Sequence, residues 1–198
     1  MADEASYRIA LLVIIVLLSS ATLFFRRRAG TPNEKISHEE EGWIPYVALH
    51  SSAWVLWLST LAYLFVPSAI AWASIPIPSL LRWACFYVAI FASIPMIWTL
   101  ATLGKNLTDT VATRSNAFLV TSGPYRWVRH PYYSTTAIVM LSVTILTANG
   151  LVGFGCFLVL GLLALRTPKE EQKLVEKFGT DYLNYKARTG MFFPRLFQ

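Results

Sequence analysis

Apolar runs of membrane-crossing length, interiors almost without charge, and lysine and arginine gathered on one side of them predict an all-α integral membrane protein of about five transmembrane helices. A helical hairpin made by the fourth and fifth spans and short cytosolic helices at the C-terminus complete the expected fold. Hydrophobic residues make up 55% of the 198 and charged residues only 14%, which moves the chain away from the soluble globular class. A crossing takes about 20 mainly apolar residues for a hydrocarbon core of about 30 Å, so no separate soluble domain fits. Residues 1–103 read as a three-span membrane region and 104–198 as a second unit that carries the polar motifs.

The first span, Tyr7 to Phe25, holds only Arg8 and stops at Arg26, Arg27 and Arg28. Acids precede it and arginines follow, the reverse of a signal peptide, so it is expected to stay in place. Residues 29–42 are polar and aperiodic, with three consecutive glutamates, and read as a solvated loop in which His38 has no second histidine at ligand spacing. The second span runs from Pro45 to Val66. Pro67 to Ser79, uncharged and with three prolines, reads as a connecting or interfacial segment. The third span, Leu80 to Leu103, contains Pro95 as an expected kink.

Two further apolar runs, Tyr132–Thr147 and Leu151–Leu165, are separated only by Ala148, Asn149 and Gly150, which read as a tight turn between paired helices. Beyond Arg166 the chain becomes charged and amphipathic. Gly179 is a helix stop, and Thr180 or Asp181 restarts a second short helix. With five spans and the N-terminus outside or lumenal, 15 of the 17 basic residues fall on one side, and the positive-inside rule makes that side cytosolic. Membrane lipids are therefore partners.

Net charge of +6 does not imply nucleic acid, because the basic residues flank apolar spans singly and do not interleave with aromatics as a binding platform would. Cys85 and Cys156 lie in apolar runs and act as small hydrophobes. No zinc-ligand spacing, phosphate-cradling glycine loop or nucleophilic triad is present, so neither metal nor those chemistries are expected. Carboxylates and lysines are absent from the middle of the spans, which argues against a proton-coupled transporter. A transporter subunit or membrane scaffold is the alternative of another class.

Polar chemistry collects in Gly123-Pro124-Tyr125-Arg126-Trp127-Val128-Arg129-His130-Pro131-Tyr132-Tyr133. Pro131 suits the first position of a helix, where its missing donor is not needed. The free donors of that first turn, with Arg126 and Arg129, favour an anion; the same arginines also suit lipid head groups. His130 suits either a backbone carbonyl or a ligand, and Tyr125, Trp127, Tyr132 and Tyr133 suit either an interfacial belt or ligand stacking. Glu170 has two readings. With Thr167 as N-cap and Pro168 at the first position it completes a capping box; as a carboxylate beside the motif it receives a cationic group. The hairpin makes this motif and Arg166–Glu171 neighbours.

The run Leu119 to Tyr133, followed by Arg166-Thr167-Pro168-Lys169-Glu170-Glu171 and then Phe178-Gly179-Thr180-Asp181-Tyr182-Leu183-Asn184-Tyr185, resembles the isoprenylcysteine carboxyl methyltransferase family of integral membrane methyltransferases. The likeness covers roughly residues 104–194. It implies S-adenosyl-L-methionine as methyl donor at the cytosolic mouth and a lipid-like or prenylated substrate entering from the bilayer. It further implies a cofactor site of Ala117, Phe118, Leu119, Val120, Tyr125, His130, Pro131, Tyr132, Tyr133 and Glu170, with Arg166 on the substrate side. A carboxylate acceptor is already ionised at its pKa of about 3.5 and needs no general base, whereas an amine or thiol acceptor would need one. The membrane implied is the endoplasmic reticulum in a eukaryote or the plasma membrane in a prokaryote.

Overall fold

The structure, a computed structural model, describes residues 2–29, 43–104 and 118–195. It contains α1 (Ala2–Ala29), α2 (Trp43–Phe65), a one-turn α3 (Pro67–Ile70), α4 (Ser79–Leu103), α5 (Pro131–Thr147) and α6 (Gly150–Arg188). Single 3₁₀ turns lie at Ala71–Ala73 and Gly123–Arg126. Among the described residues there is no strand, only isolated bridges Ser74–Asn149 and Val128–Gly190. The loop around His38 and the position of Ala117 fall outside the described residues.

Helices α1, α2, α4 and α6 are long and apolar enough to cross a membrane. Helix α5 has 17 residues, about 25 Å at 1.5 Å per residue, the short limit for a crossing. The chain is a multi-pass membrane protein built from these elements. The expected loop at Pro67–Ser79 is partly helical, because Pro67 sits in the first turn of α3, where its missing donor costs nothing. Helix α4 continues through Pro95.

Helix α4 packs on α1 and α5, and α6 on α2 and α5. Tyr7, Leu11 and Ile14 of α1 meet Ala89 and Ala92 of α4 and Val139 and Leu146 of α5 in the core. Lipid tails are as apolar as these side chains, so close van der Waals contact rather than water exclusion holds the helices together. Gly155 shows the consequence: a Cβ there would lie 2.8 Å from Leu56 Cα, so α6 touches α2 backbone to backbone.

The hairpin turn follows the sequence expectation. Ala148 is left-handed at φ 48°, and Asn149 caps α6 by accepting from the amides of Leu151 (3.1 Å) and Val152 (3.4 Å). Its Nδ2 also donates to Ile70 O at 3.0 Å, fastening the turn to α3. Arg82, which the sequence presents only as an outlying basic flank, is 6% exposed. Its Nε donates to Leu146 O (2.8 Å) and its Nη2 to Thr147 O (3.5 Å), supplying donors to α5's terminal carbonyls. Its remaining donors reach the Glu4 carboxylate and Tyr63 Oη, and its guanidinium lies 3.5 Å from the centre of the Tyr7 ring. One cation thus ties α1, α2, α4 and α5 at the end of the bundle opposite the motif.

Candidate active site at the start of α5

The motif opens on Gly123, at φ 58°, where a Cβ would lie 2.7 Å from Thr102 Oγ1; the 3₁₀ turn therefore rests against the end of α4. Pro131 occupies the first turn of α5, and His130 precedes it at the N-cap without a side-chain cap. Trp127 to His130 run beside the chain's C-terminal tail. The amides of Arg129 and His130 donate to Gly190 O (2.9 Å) and Met191 O (3.0 Å), and Gly190 N returns a bond to Trp127 O at 3.3 Å. Tyr185 Oη donates to Tyr125 O at 2.6 Å. The tail lies against the bundle mouth, as its amphipathic sequence predicts.

Beneath this seam lies a charge cluster. Glu171 is 3% exposed, and its Oε1 accepts from Arg129 Nε at 2.7 Å while Oε2 lies 2.7 Å from Lys186 Nζ. Arg129 also donates to the carbonyls of Lys186 (3.3 Å) and Thr189. Burial pushes the Glu171 carboxyl up, yet the approach of His130, Arg129 and Lys186 outweighs it and holds the group well below the usual carboxylate range. Arg129 is therefore committed within the protein. The expectation that it favours an incoming anion is corrected: the hairpin brings a buried acid within its reach, and the acid takes it. Arg126 instead stacks on Trp127, 4.0 Å from the ring centre.

His130 is 8% exposed and stacks on Tyr133, with ring centres 5.5 Å apart and planes 11° apart. Its Nε2 lies 3.4 Å from Glu171 Oε1, but the alignment misses a hydrogen bond, and the atom is buried without one. A backbone-carbonyl role for this side chain is not what the fold uses. Tyr133 Oη donates to Glu170 Oε2 at 2.9 Å. The capping-box reading of Glu170 is corrected as well. Thr167 lies inside the unbroken part of α6, which runs up to Gly179, whose φ of 55° is the helix stop expected from the sequence; the Thr167 Oγ1 donates back to Leu163 O at 2.9 Å, and Pro168 is also internal. Glu170 and Arg166, one turn apart, share a helix face, and the Arg166 charge bears on Tyr133.

Next to this cluster a cavity of about 990 Å³ opens between α4, α5, α6 and the tail. Trp98, Trp127, Ile138, Leu141, Leu160 and Leu163 supply most of its character. The hydroxyls in its wall are already engaged: Thr99 with Pro95 O, Ser134 with Phe192 O, Thr135 with Pro131 O, and Tyr133 with Glu170. Among the described residues no lysine, arginine, aspartate or glutamate lines it. Such a wall suits an apolar chain. Tyr133 belongs to both regions, facing the cavity while bonding to Glu170 and stacking on His130.

Of the residues named from the sequence, the structure brings together Tyr125, His130, Pro131, Tyr132, Tyr133 and Glu170, with Arg166 one turn along α6 from Glu170. Tyr132 contacts Tyr133 at 6.3 Å between ring centres. Phe118 is 65% exposed, and Leu119 and Val120 are half-buried in the extended entry to the motif, outside the cavity wall. Glu171, Lys186, Tyr185 and Phe192 have structural parts that the sequence reading did not assign.

Residues 83–176 match the model of the isoprenylcysteine carboxyl methyltransferase (ICMT) family. Over those residues, just under half of the chain, the protein is similar to that family. The match takes in nearly all of α4, although the motifs pointed only to residues beyond it, and it ends before the tail. The chain is 30% identical over 110 residues to the cobalt-zinc-cadmium resistance protein CzcN of Cupriavidus metallidurans, covering 52% of this chain and 51% of that one. It is 30% identical over 117 residues to the protein-S-isoprenylcysteine O-methyltransferase of Dictyostelium discoideum, covering 55% and 49%. Against the human enzyme of that name the figures are 34% over 90 residues, 44% and 32%. The chain thus spans about half the length, or less, of these curated relatives. A solved structure of the eukaryotic intramembrane Ras methyltransferase ICMT aligns with 81% of this chain and 54% of its own, at 25% identity and a TM-score of 0.49.

Proposed function

We propose that this chain is an S-adenosyl-L-methionine-dependent methyltransferase acting at the cytosolic membrane face on the carboxylate of an isoprenylcysteine-like lipidated substrate. The family match and the named activities of the relatives from Dictyostelium and human support the reaction class. The observation that carries the reading to this site is the shared position of Tyr133, where a polar cluster meets an apolar cavity. A lipidated acceptor has the same two halves.

The residues present fit the methyl donor. His130 Nε2 is buried and unbonded, a polar atom that a ligand would satisfy. The uncapped start of α5 suits the donor's carboxylate, Glu170 its ammonium, and the stacked His130–Tyr133 pair offers a ring face beside its adenine. S-adenosylmethionine, when bound, supplies an electrophilic methyl group. The protein's own work is to hold the acceptor chain in the cavity, set its head group at Tyr133 and exclude water. An ionised carboxylate needs no base, and Arg166, one helical turn before Glu170, is the cation assigned to that acceptor. The bilayer is the endoplasmic reticulum in a eukaryote or the plasma membrane in a prokaryote, with the N-terminus on the far side.

Purified protein is expected to bind S-adenosylmethionine at a stoichiometry near one by calorimetry, and the absence of binding overturns the reading. A transfer assay offering a prenylcysteine analogue, a lipid amine and a small thiol tests the acceptor. Methylation of the first alone supports the carboxylate, and methylation of either other acceptor alone replaces it.

A further inference from the structure

The tail beyond α6 lies outside the family match. It is nonetheless fixed. The carbonyls of Thr189, Gly190, Met191 and Phe192 all accept bonds from Arg129, His130 or Ser134, the last at 2.7 Å from Ser134 Oγ. Gly190 closes the turn: a Cβ there would fall 1.7 Å from Phe193 O, so the fold admits no other residue. Arg195 reaches back to Ala187 O.

This rigid segment presents Phe193 at 80% exposure, while Phe192 leans on His130 with ring centres 5.9 Å apart. Both rings line the cavity, with Pro194. Phe193 contributes little to the core and stands at the cavity, where it is available to pack on a chain that enters. The described wall is predominantly apolar, and its hydroxyls are engaged, which favours an apolar chain over a polar one. From Pro131 to Leu141 that wall follows α5 for about 15 Å, enough for an extended chain of roughly a dozen carbons.

We propose that the tail is a specificity element in which Phe193, supported by Phe192, grips the apolar chain of the acceptor near its head group. This rests on the lipidated substrate proposed above. A chain leaving the bilayer gains little from apolar transfer, because the cavity is no more apolar than the lipid. Its affinity then depends on van der Waals fit, to which a well-placed ring contributes many contacts. The tail therefore sets which chain is accepted, although it touches no reacting atom.

The test uses detergent-purified full-length protein, where no bilayer competes. N-acetyl-S-farnesylcysteine and its S-propyl counterpart are titrated by calorimetry against wild type, Phe193→Ala and Phe193→Leu, with thermal melts as a control for folding. Phe193→Ala is expected to weaken the farnesyl compound about tenfold and leave the S-propyl compound unchanged, with Phe193→Leu restoring most of the loss. Unchanged farnesyl affinity, or equal loss for both compounds, overturns the assignment. So does a defect confined to liposome association, which makes Phe193 an interfacial anchor only. Chain-dependent binding without any methyl transfer sinks the catalytic reading and leaves the tail assignment standing. Transfer with no chain effect of Phe193→Ala does the reverse.

Discussion

Replacing Glu171 by glutamine keeps the shape of the buried cluster and removes its charge. Arg129 and Glu171 have side chains 5% and 3% exposed, so the substitution leaves a guanidinium in the interior without a counter-charge. Breaking a buried pair from one side costs about 3–5 kcal/mol. The carbonyls of Lys186 and Thr189 still accept from Arg129, which places the expected loss near the lower figure, about 3 kcal/mol. For a chain of this length that corresponds to a fall in Tm of roughly 6–12 °C. Tryptophan-fluorescence melts of detergent-purified protein measure it, and limited proteolysis should show the tail cut earlier, because Thr189 hangs on Arg129. The sign with pH follows from the depressed carboxyl. Its stabilisation is complete above the ordinary value of 4.5 and is withdrawn as pH falls below it towards the folded-state value. Glu171→Gln should flatten that acid limb. A melt within 2 °C of wild type (about 1 kcal/mol at most), with an unchanged acid limb and a protected tail, would refute the assignment of the cluster as the tie between tail and motif.

Three further outcomes are expected. Glu170→Ala should lower S-adenosylmethionine affinity at least about tenfold, while the melt moves by no more than one lost hydrogen bond, about 1 kcal/mol; a large melt shift with intact affinity reverses the role. Arg82→Leu should destabilise by about 3 kcal/mol through loss of the α5 cap and the Glu4 pair, and leave donor affinity unchanged because it acts at the opposite end of the bundle; calorimetry and melts separate the two. Gly155→Ala should cost about 1–3 kcal/mol, because the obstructing atom is the Leu56 backbone and α2 must move away; a neutral melt would show that the helices are not in contact there.

The spans were legible in the sequence because the bilayer imposes a length on apolar runs; α1, α2, α4 and α5 extend only a few residues past theirs, whereas α6 continues far beyond Leu165. The turn at Ala148–Gly150 and the start of α5 at Pro131 were legible for another reason: backbone chemistry there is local. Thr167-Pro168-Lys169-Glu170 misled because its signal is local and the deciding force is not. Tyr133 holds Glu170 and Arg129 holds Glu171 across the hairpin, so α6 runs straight through the proline that should have started a new helix. The committed state of Arg129 was hidden likewise, since its partner is 42 residues away. The only sequence trace of that pairing was opposite charge at the two open ends of the hairpin. Phe193 and its turn carried no readable motif beyond Gly190.

From Gly150 to Phe178 the sixth helix rises about 43 Å without interruption, well beyond a hydrocarbon core of about 30 Å. Leu160 and Leu163 face the cavity from one part of this rod, and Glu170 and Glu171 reach Tyr133 and Arg129 from another. The two stations are therefore locked in rotational phase. Inserting or deleting one residue between Ala164 and Lys169 would swing the acids about 100° away from their partners while the cavity wall stayed in place. The apolar and charged halves of this site can diverge by substitution, but the spacing between them is held like the pitch of a screw.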